Sequence, residues 1–264
     1  MAEQVQAEQL VEVGPPRMTF STFLLRVLAG GAGGSIGALI LLVIFMFAAS
    51  VLQPVTSGEA LEYVSPIFVF VIMIMVFLAS TASSLLSVFL MSLTEKDKYV
   101  RTRSAIYQVF ILSVMIFLLM VPIYLLAANL DVKIVAYAVA LHIILAAQLS
   151  AIILEIVSDY KYSLVGVYGV TFSIIVSALV MVAIYGMLNY SVLIFFLALP
   201  IVWVSIAIFQ SIFTMIYGWI ARLYDKDFLS TKMVYGDDYG KEVVEEPEAP
   251  HAVDEAGADF LKHN

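Results

Sequence analysis

The chain has 264 residues, 62% of them hydrophobic and 13% charged, with a net charge of −8 and a mean hydropathy of +1.02. Soluble domains run near 45–50% apolar and about 25% charged, so this composition excludes a fold that water could hold. The acidic balance also excludes a nucleic-acid-seeking surface, and the lack of cysteine excludes disulfides, thiolate-bound zinc and iron–sulfur clusters. His142, His251 and His263 are too scattered for a histidine metal site. No cofactor is expected.

Residues 1–28 read as a cytoplasmic N-terminal segment. The first sixteen carry three glutamates and no Lys or Arg, so a signal-peptide n-region is missing and the first apolar span is expected to be retained. Pro15-Pro16, then Met18, Phe20, Phe23 and Leu24 between Arg17 and Arg26, suggest an interfacial lead-in helix.

The transmembrane domain, 29–221, follows. A bilayer core needs about 20 apolar residues in a helix, and six stretches reach that length: 29–53, 65–93, 104–128, 133–157, 164–187 and 191–221. Barrel strands would be about half as long and would alternate in polarity. Backbone groups in lipid must be satisfied within the segment, which leaves helix. The fold class is therefore an all-α bundle of six transmembrane helices. Breaks fall at 53–59, 94–98, 129–131, 158–161 and, weakly, 188–191. Pro122 and Pro200 are expected to kink the third and sixth spans.

Orientation follows from Lys and Arg in the short loops. With the N-terminus inside, twelve fall on the inner side and only Lys133 on the outer, so both termini are expected in the cytoplasm. Tyr63, Tyr107, Tyr124, Tyr137, Tyr160, Tyr162, Tyr168, Tyr185, Tyr190 and Tyr217 fall near span ends, as an aromatic belt requires. A retained span without a targeting presequence points to a prokaryotic plasma membrane.

The first span opens with a run of glycines that lacks the G-x-G-x-x-G and Gly-Lys-Ser/Thr patterns of nucleotide loops. Gly30/Gly34 and Gly33/Gly37 instead form two small-xxx-small registers for close helix approach, within this chain or to other membrane subunits. In the second span Ala79, Ser83 and Ser87 share one face, with Ser80 and Ser84 on the next. That face reads either as packing, with hydroxyls bonded back to their own carbonyls, or as a hydroxyl-lined path.

Unpaired amides are costly in hydrocarbon. Gln148 lies roughly 13 Å and Gln210 roughly 16 Å from the inner ends of their spans at 1.5 Å per residue. The two are expected to meet each other, or the serine face of the second helix, in one polar layer on helices 2, 4 and 6: Ser80, Ser83, Ser84, Ser87, His142, Gln148 and Gln210. His142 reads as a neutral, hydrogen-bonded group or as a proton-linked one. Glu155 is expected to pair with Arg101, Arg103 or Lys161, the alternative being a free carboxylate at the inner mouth.

No catalytic constellation stands out. Facing carboxylates and H-E-x-x-H are missing, and no motif frames a pairing of Ser35 with His142. Residues 222–264 carry a charge of −6 and read as a largely disordered cytoplasmic tail. Within it, 252–262 is a candidate docking helix for a soluble partner. The leading functional expectation is a non-enzymatic scaffold or accessory subunit of a membrane assembly, because intramembrane charge is nearly absent. The alternative is a small-solute or ion transporter or channel using the polar stripe.

Overall fold

The computed structural model describes residues 11–13, 18–48, 66–95, 98–99, 101–129, 132–158, 163–187, 193–223 and 231–233. It is all-helical apart from two three-residue strands. The helices are α1 (Phe20–Phe47), α2 (Pro66–Thr94), α3 (Thr102–Ala128), α4 (Val132–Val157), α5 (Ser163–Met187) and α6 (Leu193–Leu223). Each is long and apolar enough to cross a membrane. They belong to one compact unit, Gly14–Thr231. The other unit comprises Met1–Val13 and Lys232–Asn264. Two short strands, β1 (Val11–Val13) and β2 (Thr231–Met233), pair in a two-stranded sheet. Of the acidic tail, Arg222 and Leu223 end α6 and Thr231–Met233 form β2, while the docking segment 252–262 lies outside the described residues.

Five helices start and stop within a few residues of the expected spans, because uninterrupted apolar length dictates them. The first does not. It begins at Phe20, where the Thr19 hydroxyl accepts from the Thr22 N–H at 3.2 Å. It then runs without a break through Arg26, so the expected lead-in helix is the opening of α1 itself. Arg26, expected to flank an interfacial helix, instead lies inside α1, where its charged head finds partners in the bundle. Pro122 and Pro200 both lie within continuous helices.

Every helix turns large apolar side chains outward, among them Leu28, Phe70, Leu118, Leu141, Leu179 and Trp219. The interior is apolar too, with Trp203, Met120 and Ile143 fully buried, and it also holds polar residues, including Ser83, Ser87, Ser173, Gln148, Gln210 and Glu155. Tyr107, Tyr137 and Tyr168 are exposed near helix ends, whereas Tyr124, expected in the same belt, is fully buried.

α1 sits between α2 and α6, its two heaviest neighbours. Its glycine registers divide between them. A Cβ on Gly33 would fall 2.7 Å from Ser87 Cα, and one on Gly37 would fall 2.5 Å from Ser83 Cβ. A Cβ on Gly34 would fall 2.5 Å from Pro200 Cα, and one on Gly30 would fall 2.8 Å from the Trp203 carbonyl. Lipid supplies little hydrophobic drive between helices, so such close backbone approach carries the association. Gly34→Ala should therefore destabilise the bundle by about 1–3 kcal/mol through overpacking. Gly31→Ala, whose Cβ would meet only Val204 Cγ2 at 3.4 Å, should be nearly neutral. Thermal unfolding of the purified variants in detergent checks the contrast.

Candidate functional site

The most polar feature of the bundle gathers around one carboxylate. Glu155 stands two residues before the end of α4, where Ser158 turns back on it: the Ser158 N–H bonds the Glu155 carbonyl at 3.2 Å. The Glu155 side chain is fully buried, as is that of Arg26, six residues into α1. Arg26 Nη2 donates to Glu155 Oε1 at 2.9 Å, and Arg26 Nη1 donates to Glu95 Oε2 at 2.8 Å. Lys98 Nζ lies 2.6 Å from Glu155 Oε2. Two cations thus face two carboxylates, and the network is neutral.

The α2–α3 connection is folded to supply three of these groups. The Glu95 carbonyl accepts from the N–H groups of both Lys98 and Tyr99, at 3.0 and 3.1 Å, closing the end of α2. On the far side, Thr102 Oγ1 donates to the Tyr99 carbonyl at 2.8 Å. This turn points Tyr99 inward, where its hydroxyl accepts from Arg26 Nη2 and donates to Glu155 Oε1 at 2.5 Å. Burial holds the Tyr99 phenol well above its ordinary pKa, so it keeps the proton it donates. Burial also pushes the Lys98 ammonium below the usual lysine range, with Glu155 working against that shift. The α6 amide completes the set, Gln210 Nε2 donating to Glu155 Oε1.

α5 contributes by omission. A Cβ on Gly166 would lie 2.9 Å from Glu155 Cγ, and one on Gly169 would lie 2.6 Å from Gln210 Cα. One turn further along the same α5 face, the Ser173 hydroxyl accepts from Gln148 Nε2 at 2.8 Å and donates to the Val170 carbonyl at 2.6 Å. Among the described residues, buried Arg26 Nε, Gln210 Oε1 and Ser177 Oγ find no hydrogen-bond partner.

All seven residues of the expected polar layer are buried, but they do not form one layer. Gln148 bonds α5, Gln210 bonds Glu155, and Ser83 and Ser87 face the α1 glycines instead of either glutamine. Ser80 bonds back to the Phe77 carbonyl at 3.2 Å, and Ser84 reaches the Ala146 carbonyl at 3.5 Å. His142 Nδ1 lies 3.3 Å from the Tyr124 hydroxyl. Glu155 pairs with Arg26 and Lys98, while Arg101 and Arg103 are exposed at the start of α3 and Lys161 lies outside the described residues. Ser35 is exposed on α1, away from the buried environment of His142.

Arg26, Glu95, Lys98, Tyr99, Gly166 and Gly169 escape a reading by sequence. The Gly166, Gly169, Ser173 spacing of three and four is the one signal that marks a shared helix face. The chain matches no family model, no curated protein and no solved structure.

Removing one partner of a buried ion pair leaves the other uncompensated, at a cost of about 3–5 kcal/mol. Glu155→Ala should therefore lower unfolding stability in detergent by that order. The double replacement Arg26→Met with Glu155→Leu should recover part of it, and a cycle of the two sites should return a clear coupling energy.

Proposed function

We propose that this chain is a multi-pass protein of the plasma membrane, with six spans and both termini in the cytoplasm, and that it conducts a small polar solute or ion. Support for insertion comes from the apolar exterior of all six helices, and support for orientation from the Lys and Arg count in the loops. In this orientation the Arg26–Glu155 network lies at the cytoplasmic end of the bundle.

The observation that carries the transport reading is the burial of Arg26 and Glu155 within apolar helices, continued by Gln148, Ser173 and Ser177. Ionisable groups inside spans are costly, and they mark solute or ion paths by default. The scaffold reading drew its strength from the near absence of such charge, and that strength falls away once Arg26 and Glu155 are counted inside the spans. The chain acts, on this view, without covalent chemistry.

A scaffold or accessory subunit is the second reading, favoured by the glycine and serine seams that fill α1 against α2 and α6. Affinity purification from native membranes separates the two. Stoichiometric partners that vanish on truncation after Leu229 would establish the scaffold.

Reconstituted in liposomes, the native chain should pass small polar tracers or ions above empty-vesicle background. Gln148→Leu should lower that flux at least tenfold while leaving the protein monodisperse. Flux indistinguishable from empty vesicles across a panel of ions and polar solutes would end the transport reading. Orientation is checked separately by single cysteines at Arg103 and Lys133. In intact cells, only the second should react with a membrane-impermeant thiol reagent.

A further inference from the structure

We propose that the Arg26–Glu155–Gln210 network is a gate that closes one end of a polar seam running between α4, α5 and α6. The proposal rests on the transport reading and adds to it the place where the path is shut. The occupant of the opened seam is water together with a small polar solute.

The seam is traced on α5, where Gly166, Gly169, Ser173 and Ser177 succeed one another at spacings of three and four and so share one face. The first abuts Glu155 of α4 and the second abuts Gln210 of α6. The third bonds Gln148 of α4. From Gly166 to Ser177 is eleven residues, roughly 16 Å at 1.5 Å per residue, about half a bilayer core. Ser177 Oγ is fully buried and lacks a partner among the described residues, as do Gln210 Oε1 and Arg26 Nε at the network itself. Unmatched donors and acceptors thus occur at both ends of the seam. Ser83 and Ser87 on the α1–α2 face also lack partners, but there the glycines of α1 fill the space, and no ionic network adjoins them.

Wetness falls in steps across the network. Glu95 and Lys98 keep 18% and 12% of their side-chain surface exposed, whereas Arg26 and Glu155 keep none. Glu95 and Lys98 can therefore reach water from their own side, whereas the Arg26 and Glu155 groups they leave depend on each other and on the water that follows. Loss of Lys98 from Glu155 Oε2 and of Glu95 from Arg26 Nη1 leaves the inner ion pair as the last barrier before Gln148. α5 meets Glu155 and Gln210 at Gly166 and Gly169, two positions where no side chain has to move for the seam to widen.

The chain has no cysteine, so one introduced thiol reports without background. Ser177→Cys, in sealed vesicles of each orientation, is exposed to a membrane-impermeant cationic thiosulfonate. In the native background the reaction should be slow. Lys98→Met and Glu155→Gln, compared in preparations that remain monodisperse, should each accelerate it at least tenfold, only from the face that carries Arg103. Ser87→Cys, packed on Gly33, should stay unreactive in both backgrounds. Equal and rapid labelling of Ser177→Cys in all backgrounds would overturn the gate while leaving the wet seam, and hence transport, standing. No labelling in any background would overturn both. Parallel labelling of Ser87→Cys would mean general loosening and would also overturn the gate.

Discussion

A guanidinium and a carboxylate held away from water set the terms for one whole end of this bundle. The desolvation penalty of such a pair is several kcal/mol per ion, and attraction offsets it only when geometry is good and the remaining donors and acceptors are matched. Glu155 meets that condition by drawing on three separate elements: Arg26 from α1, Lys98 and Tyr99 from the α2–α3 connection, and Gln210 from α6. Local features follow from the same demand. The Glu95 turn exists in a form that returns Lys98 and Tyr99 to the bundle, and α5 carries glycine at the two positions where a side chain would collide with Glu155 and Gln210.

α1 shows how a membrane bundle is joined when apolar burial gives little selectivity. Its outward face is exposed Leu and Phe, and its selectivity resides in three attachments. Gly33 and Gly37 admit the backbone of α2, Gly30 and Gly34 admit that of α6, and Arg26 fixes the axial position of the helix against Glu95 at the end of α2 and Glu155 of α4. Helices far apart in the chain are thereby held on either side of the first. Register along glycine faces is permissive, because a slip of four residues still presents a small residue. The ion pair is not permissive, since a slip of one turn moves a charge by roughly 5 Å.

The six spans were legible because apolar length is a local property, and each run of it needs only its own residues to be recognised. The start of α1 was misjudged for the complementary reason. Arg26 ends an apolar run when read alone, and only the presence of Glu95 and Glu155 nearby makes it compatible with a buried helix. Polar pairing was likewise out of reach. Gln210 bonds Glu155, whereas Gln148 stands seven residues from Glu155 along α4 and bonds Ser173, and which neighbour each meets depends on rotation about the helix axis and on which helices are adjacent. Neither is encoded in depth. Had the Gly166, Gly169, Ser173 face been traced on α5, it would have nominated α5 rather than α2 as the partner of Gln148.

The same distinction bears on what the buried polar groups are for. Serines along a packed face, such as Ser83 and Ser87 against the α1 glycines, are explained by volume: glycine and serine let two backbones close together, and the hydroxyl is tolerated. Gln148, Gln210 and Glu155 are not explained that way, because leucine or methionine would fill similar volume without a polar head to satisfy. Replacement of buried ionic groups by apolar ones of like size is often neutral or stabilising. A bundle selected for cohesion alone has an available apolar solution at these positions. Register accounts for the ion pair, which fixes α1 along its axis, but not for Gln148, whose bond to Ser173 joins α4 to α5, and it is there that the proposed polar access to the interior has its support.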